Sequence, residues 1–231
     1  MIKHLSLDLW NTLLVSNNKF SIDRINYLQN HYFSGFEKEI IDEKIENIGM
    51  EADIINMKNG ISISSEKMYD DLLRKENIII KKDELTKLYE DLEIEFLNNI
   101  PNLMYDLDKI TNCFENLKSN GFTLNISSNT AFIKGKTLLK VLKKIKIHKY
   151  FDFFIFSDEI DCSKPSKKFF DHLIHKCSQL NLNKNNILHI GDSLEADIVG
   201  ANQSGIKSKH IIKKQQDLII YLNSKNFNED F

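Results

Sequence analysis

The feature that most constrains this chain is a regular alternation of short apolar segments with amphipathic helical segments along its second half. A buried strand over His4–Leu9 precedes that half. Because strands that alternate with helices form parallel sheets, the pattern predicts an α/β fold with a doubly wound, Rossmann-like sheet. The predicted elements are, in order, helix Tyr105–Asn120, strand Phe122–Ser127, helix Phe132–Ile145, strand Phe153–Phe156, a helix opened by Pro165, strand Ile187–Ile190, a helix from Leu194 and a strand near Lys209–Ile212.

A different pattern separates the first strand from this alternation. It predicts helices only, at Ser21–Tyr32, Phe36–Met57, Ser65–Glu76 and Asp83–Asn99. We therefore expect a core formed by residues 1–15 and 101–231, with residues 16–100 inserted as an all-helical cap domain over the carboxyl edge of the sheet. The linkers Val15–Lys19 and Ile100–Leu103 are the expected hinges.

Composition excludes several classes of protein. The chain has 231 residues, 42% hydrophobic and 28% charged, with a formal net charge of -2. That balance is typical of a globular protein, and the lack of a basic excess argues against a nucleic-acid partner. No apolar run has the roughly 18 residues of a membrane span. The 3 cysteines follow no metal or disulfide pattern, so we expect a cytoplasmic protein, whose oligomeric state stays open.

Polar groups follow the predicted strands at their carboxyl ends. They are Asp8, the pair Ser128-Asn129, the pair Lys164-Pro165, and Gly191-Asp192 followed by Asp197. Because a doubly wound sheet brings its carboxyl strand ends to one crevice, we expect these groups to meet in a single site.

In this order and spacing, the four groups resemble the motifs of the haloacid dehalogenase-like superfamily, in its form with a helical, C1-type cap. The segments DLWNTL, SDEIDCSKPSKKFF and ILHIGDSLEADIVGANQSGI carry the resemblance, which covers the whole chain. It implies a hydrolase that depends on Mg²⁺. It further implies transfer of a phosphoryl group from a small phosphorylated metabolite through an aspartyl-phosphate intermediate.

The chemistry of each group agrees with that implication. Asp8 is the expected nucleophile, because a carboxylate can attack phosphorus and form an acyl phosphate. Asp192, Asp8 and the backbone carbonyl of Trp10 would hold Mg²⁺, which prefers oxygen ligands. By resemblance, Asp197 either completes this metal site or positions a metal-bound water.

Two further groups are expected to bind the phosphoryl group. Lys164 would hold the nucleophile and the phosphoryl group together as a point charge. The Ser128 hydroxyl and nearby backbone N–H groups would bind the phosphoryl oxygens. Asn129 either assists in binding the substrate or serves only the turn.

Trp10 breaks the family pattern. Phosphatases of the superfamily carry a second aspartate at this position as general acid and base, and indole cannot exchange a proton in that way. Three interpretations remain: a phosphatase or phosphotransferase whose proton transfer is handled elsewhere, a 2-haloacid dehalogenase, and a regulatory protein that binds phosphate and metal with little turnover. The acidic pair Asp192 and Asp197 favours phosphoryl chemistry, because displacement of halide needs no metal.

The cap is expected to choose the substrate. The segment Met57–Ser62 resembles the family's specificity loop and could present Lys58 or Asn59 to the substrate, or it is an ordinary helix connection. Arg24 on the first cap helix is interpreted as solvated. His189, directly before the last motif, is interpreted as a satisfied buried histidine.

Overall fold

The computed structural model describes residues 1–212, 218–224 and 227. Its strands are β1 (His4–Leu7), β2 (Leu14–Val15), β3 (Asn102–Leu103), β4 (Thr123–Ser128), β5 (Phe153–Phe156), β6 (Ile187–Gly191) and β7 (Lys207–His210). Five of them form one parallel sheet in the order β5-β4-β1-β6-β7. The predicted α/β fold with a parallel sheet is confirmed.

The helices cover both faces of this sheet and fill the insertion. They are α1 (Asn18–His31), α2 (Lys38–Asn59), α3 (Ser65–Arg74), α4 (Lys82–Asn98), α5 (Leu107–Ser119), α6 (Gly135–Lys144), α7 (Lys167–Ser178), α8 (Gly200–Gln203) and α9 (Leu218–Ser224). Among the described residues, no helix has both the length and the apolar character that crossing a membrane requires.

Strand β1 lies at the centre of the sheet. All four of its residues are buried, as expected for a parallel strand that is covered on both faces. The backbone N–H of Asp8 still donates to Ile190 O, at 2.8 Å, so the pairing with β6 extends to the last residue before the turn. The central strand thus fixes Asp8 at the middle of the carboxyl edge.

A two-stranded antiparallel ribbon, β2 with β3, joins the two ends of the insertion. It pairs Leu14 with Leu103 and Val15 with Asn102, within or beside the segments expected to act as hinges. The sequence did not predict these strands, because two residues are too few to show an alternating pattern. The ribbon holds together the points where the chain leaves and re-enters the sheet domain.

Helices α1 to α4, the segment predicted as the cap and called the cap below, pack around an apolar cluster of their own. The buried side chains of this cluster include Leu28, Phe33, Ile41, Ile45, Tyr69, Leu72 and Leu88. Helix α1 begins three residues earlier than predicted, because the Asn17 side chain accepts a hydrogen bond from Lys19 N and caps it. Phe132, which follows β4, packs into the same cluster and so joins cap to core.

One prediction on the core side is wrong in detail: Pro165 does not open α7, because Ser166 is the N-cap, accepting from Phe169 N, and Pro165 precedes it. The helix predicted from Leu194 does begin there, but its first part, Leu194–Val199, is a π-helix that leads into α8. Such wide turns are frequent at functional sites.

Candidate active site

A buried ion triad lies at the carboxyl edge of the sheet. The Lys164 ammonium donates to Asp8 Oδ1 at 2.7 Å and to Asp197 Oδ1 at 2.6 Å. It also donates to the Ser127 carbonyl oxygen at 2.9 Å, which uses all three of its protons. The Lys164 nitrogen atom therefore joins four parts of the chain: the carboxyl ends of β1 and β4, the loop before α7, and the π-helix.

The charges of this triad perturb one another. Burial by itself would lower the pKa of Lys164, but Asp197 and Asp8 outweigh it, and the net shift is upward. Burial raises the pKa of Asp8, and Lys164 only partly opposes that rise. Burial acts in the same direction on Asp197, yet Lys164 and His189 together bring the pKa of Asp197 below its usual range. Lys164 and Asp197 are thus held as a charged pair beside Asp8.

Asp192 adds a third carboxylate. Burial raises the pKa of its half-buried side chain, and neighbouring Asp197 adds to the rise. Oxygen atoms of Asp8, Asp192 and Asp197 all lie within 4.8 Å of one another. Among the described residues, the Lys164 ammonium is the one cation paired with these carboxylates, so the donor set suits a hard divalent cation such as Mg²⁺.

Asp197 is more heavily engaged than the other two carboxylates. Its Oδ1 accepts from Lys164 and faces His189 Nε2 at 2.9 Å, and its Oδ2 accepts from Ser193 N at 3.0 Å. A Cβ on Gly191 would lie 2.3 Å from the Asp197 carboxyl carbon, so this approach requires glycine. These contacts fit a residue that positions the site more than one that contributes free oxygen atoms.

A chain of buried hydrogen bonds leads from Asp197 across the sheet. His189 Nδ1 faces Ser6 Oγ at 3.0 Å, and Ser6 Oγ donates to Ser127 Oγ at 3.0 Å. Asn125 donates to Ser127 Oγ at 2.9 Å. The Asn125 amide oxygen faces His4 Nε2, also at 2.9 Å. We call this set the sheet polar chain; it links β6, β1 and β4.

Two predicted phosphoryl-binding residues have contacts within the chain. Asn129 exchanges two hydrogen bonds with the backbone of Lys164, from Nδ2 to Lys164 O at 2.9 Å and from Lys164 N to Oδ1 at 2.8 Å. Its side chain therefore fixes the lysine loop and also lines the cleft. Ser128 is fully buried, and its hydroxyl donates to Asn129 O at 3.0 Å.

A cleft of about 470 Å³ opens between the cap and the triad. Trp10 lines it, as do Asp8, Lys164, Asp192 and Asp197. Its volume is in the range of small-molecule sites.

Lys58 and Asn59 do not line this cleft, although Met57 does. The reason is the connection between α2 and α3, which is fastened to the core: Ser163 Oγ lies 2.6 Å from Ile61 O, and Ser62 Oγ lies 2.9 Å from Ser157 Oγ. The two predicted residues form the last turn of α2, where both are exposed.

Sequence reasoning missed two charged residues that the cap contributes to the cleft. Arg24, interpreted as solvated, lines it from α1, and Asp53 lines it from α2. The Asp53 side chain is exposed, and partial desolvation raises its pKa. The signal for Arg24 was its position four residues after the buried Phe20, which puts both on one helix face.

The comparison with protein families decides the relationship. The model of the family described as haloacid dehalogenase-like hydrolase matches residues 7–211. This chain belongs to the haloacid dehalogenase-like hydrolases. The resemblance inferred from the four motifs is confirmed.

Relatives of this hydrolase include phosphatases. Glyceraldehyde 3-phosphate phosphatase of Methanopyrus kandleri is 25% identical over 227 residues, which is 94% of this chain and 88% of the relative. Pyrimidine 5'-nucleotidase YjjG of Escherichia coli is 32% identical over a shorter stretch of 65 residues, 28% of each protein.

Solved structures agree on the fold of this haloacid dehalogenase-like hydrolase. YfnB from Bacillus subtilis, described as a HAD-hydrolase bound to magnesium, has a TM-score of 0.66 at 19% identity, covering 94% of this chain and 89% of that one. 2-Haloacid dehalogenase from Pseudomonas syringae has a TM-score of 0.65 at 17% identity, with the same coverage. The fold is therefore shared equally with a dehalogenase, and the choice of reaction must come from the site.

Proposed function

We propose that this hydrolase is a Mg²⁺-dependent phosphatase or phosphotransferase that acts on a small phosphorylated metabolite through an aspartyl-phosphate on Asp8. The observation that carries the proposal is the group of three carboxylates within 4.8 Å, opposed by a single lysine. Attack on carbon with loss of halide would not need that excess of negative charge. Attack on a phosphate ester, with a divalent cation to offset the charges, would.

In the proposed reaction, a carboxylate oxygen of Asp8 forms a bond to phosphorus, and the bond from phosphorus to the leaving oxygen breaks. The leaving group departs with that electron pair and takes up a proton. Water, or an acceptor alcohol, then attacks the phosphorus of the acyl phosphate and gives up a proton. This releases the phosphoryl group and restores the Asp8 carboxylate.

The residues around Asp8 have distinct parts in this reaction. Lys164 orients Asp8 and, through Asp197 and Ser127, is itself fixed. Asp8, Asp192 and the backbone carbonyl of Trp10 would hold Mg²⁺, which supplies positive charge to the phosphoryl oxygens when bound. Asp197 would orient the site from behind, since both its oxygens already accept hydrogen bonds.

Proton transfer is the step for which Trp10 offers no group. An acidic leaving group, water or a residue of the cap must serve instead. Asp53 supports the last of these, because it lines the cleft and its pKa is raised by partial desolvation.

Relatives support a small substrate. The phosphatase of Methanopyrus kandleri is named for glyceraldehyde 3-phosphate, and the cleft of about 470 Å³ suits a metabolite of that kind. We also infer a cytoplasmic location, which the three cysteines support, because they are buried and form no disulfide within the described residues.

The test is release of phosphate from p-nitrophenyl phosphate, whose leaving group needs no general acid. We expect turnover with Mg²⁺ by the wild type, and loss of turnover both with EDTA and in Asp8→Asn. Asp158→Asn is the matched control, because this aspartate caps the start of α6 and does not line the cleft.

A folded wild type that releases no phosphate would refute the proposal. Chloride release from a 2-haloacid would then favour the dehalogenase, the alternative that Trp10 supports. Silence in both assays would favour a regulatory protein that binds phosphate and metal.

A further inference from the structure

We infer that Arg24 binds a second anionic group of the substrate, so that the preferred substrate is a phosphate ester that also carries a carboxylate or another phosphate. The inference rests on the proposed phosphatase function and names its substrate class. The cleft is lined by charged side chains of both signs. Arg24 and Lys164 are the two cationic side chains among the lining residues that the structure describes.

Lys164 cannot serve this purpose. Its three N–H groups already bind Asp8, Asp197 and the Ser127 carbonyl, and its side chain is 2% exposed. A new anion could bind to it only by displacing one of these partners.

Arg24, in contrast, has donor capacity left over. Its Nε is buried and has no hydrogen-bond partner. Within the described part of the chain, no carboxylate forms an ion pair with it, whereas the other arginine, Arg74, pairs with Asp70 at 2.7 Å. A guanidinium group with an unsatisfied buried N–H is costly unless a ligand supplies the acceptor.

The guanidinium group is also held in position. Its central carbon lies 5.4 Å from the centre of the Phe20 ring and 5.3 Å from that of Phe132. Phe20 belongs to the same cap helix, whereas Phe132 follows β4 on the core side. An arginine fixed by two aromatic rings keeps its planar set of N–H donors ready for a carboxylate or phosphate, which accepts two hydrogen bonds side by side.

Charge separation completes the argument. The transferred phosphoryl group would bind at Asp8, directly after β1, whereas Arg24 lines the cleft from helix α1 of the cap. A substrate with one anionic group at each end would satisfy both. Asp53, which lines the cleft from α2, disfavours a single large anion there and favours a polar group such as a hydroxyl beside the second anion.

The experiment uses two pairs of substrates that differ by one anionic group. One pair is 3-phosphoglycerate and glycerol 3-phosphate; the other is fructose 1,6-bisphosphate and fructose 6-phosphate. We expect kcat/KM to favour the more anionic member of at least one pair on the order of tenfold or more, the range for hydrogen bonds to charged groups. The first pair tests a carboxylate as the second anion, and the second pair tests a phosphate.

The decisive variant is Arg24→Gln, and the readout is the ratio within each pair. We expect the ratio to fall to about one, with partial recovery in Arg24→Lys, which restores the charge without the planar fork. Arg74→Gln, the same change on the exposed face of α3, should leave the ratio as in the wild type. An equal loss on both members of each pair, or no preference in the wild type, would overturn the inference.

Binding to Asp8→Asn separates this inference from the proposed function. In that variant, calorimetry should give a lower Kd for 3-phosphoglycerate, or for fructose 1,6-bisphosphate, than for its partner, and Arg24→Gln should remove the difference. A preference in binding together with a silent wild type would refute the phosphatase and keep the anion site. Turnover without any such preference would do the reverse.

Discussion

Lys164 is the single side chain on which the site depends most. Its ammonium group lies between two carboxylates that would otherwise face each other in a buried space. Removing one partner of such a buried ion pair leaves a charge without compensation, which typically costs about 3–5 kcal/mol of stability. The same contact that orients Asp8 therefore also stabilises the fold.

The sequence predicted the part of the site that lies at strand ends. Asp8 and Asp192 each directly follow a buried strand, and Lys164 lies in the loop that leads on from β5; a parallel sheet brings the carboxyl ends of its strands to one edge. The side of the cleft formed by the cap could not be predicted in this way. Whether Arg24 or Lys58 faces the substrate depends on how the cap docks on the core, and the pattern within one helix does not contain that information.

Trp10 gives the first prediction. Trp10→Asp should raise kcat/KM on an alkyl phosphate, by up to about 10²-fold, because it restores a group that can protonate the leaving oxygen. Steady-state phosphate release from glycerol 3-phosphate measures this.

Trp10→Asn is the matched control, because it opens the same space without a carboxyl group that can give and take a proton near neutral pH. A folded Asp variant that is no faster than the Asn variant would contradict this account of the missing acid.

The sheet polar chain, which runs across β6, β1 and β4, is unusual because the interior of a buried parallel sheet is ordinarily apolar. It pairs polar side chains of three neighbouring strands with one another and ends at the contact of His189 with Asp197. Fully satisfied networks of this kind rigidify a core. The pairing could not be predicted from sequence, because it requires the register that sets His4 opposite Thr123 and Ser6 opposite Asn125.

His4 makes the stability of this sheet depend on pH. Burial lowers the pKa of His4 to about 4, and the hydrogen bond to Asn125 only partly opposes this. An unfolded chain takes up the proton near pH 6.5, so the folded state binds fewer protons between these values. Its stability is therefore complete above pH 6.5 and falls as the pH drops towards 4, by up to about 3 kcal/mol.

The free energy of unfolding in urea, measured at several pH values between 4 and 7, tests this prediction. In His4→Gln the loss of stability from pH 7 to pH 4 should be smaller by up to about 3 kcal/mol, while the stability at pH 7 also changes through lost packing. An unchanged dependence on pH would mean that His4 does not titrate in this range.

Replacement of glycine by alanine should have opposite effects on stability at two helix positions, Gly49 and Gly200. In Gly49→Ala, the new Cβ on α2 would lie 3.8 Å from Phe132 Cε2, an ordinary contact, and helix propensity should add about 0.5–1 kcal/mol. In Gly200→Ala, it would lie 2.7 Å from both Phe170 Cε2 and Pro165 Cα, which should cost about 1–3 kcal/mol.

The free energy of unfolding in urea checks both variants. A loss of stability in Gly49→Ala would indicate that α2 cannot move at all against Phe132. No loss in Gly200→Ala would mean that α8 shifts freely relative to α7.

In the molecule as a whole, the cap and the core are joined by hydrogen bonds between side chains and backbone as well as by the ribbon of β2 and β3. Ser163, directly before Lys164, lies within hydrogen-bond distance of Ile61 O at 2.6 Å and of Asn56 O at 3.2 Å. Movement of the cap would therefore be coupled to the loop that carries Lys164.

Ser163→Ala tests this coupling. We expect amide hydrogen exchange in residues 60–65 to accelerate roughly tenfold, because one buried hydrogen bond contributes about 1 kcal/mol. Ser178→Ala, which removes a hydroxyl bonded only within α7, should leave that exchange unchanged. Equal exchange in both variants would show that the cap is held by other contacts.

The central place of β1 also has a consequence for how the protein is made. Its neighbours are β4, where His4 pairs with Thr123, and β6, where His4 pairs with Ile187. During translation, β1 leaves the ribosome before both of these neighbours, and β6 follows it much later than β4 does. The helices of the cap make contacts that are closer in sequence and can form much earlier. Until β6 is synthesised, the nascent chain must therefore carry β1 without its second neighbour, with Leu5 and Leu7 open to other contacts, the kind of exposure that chaperones limit.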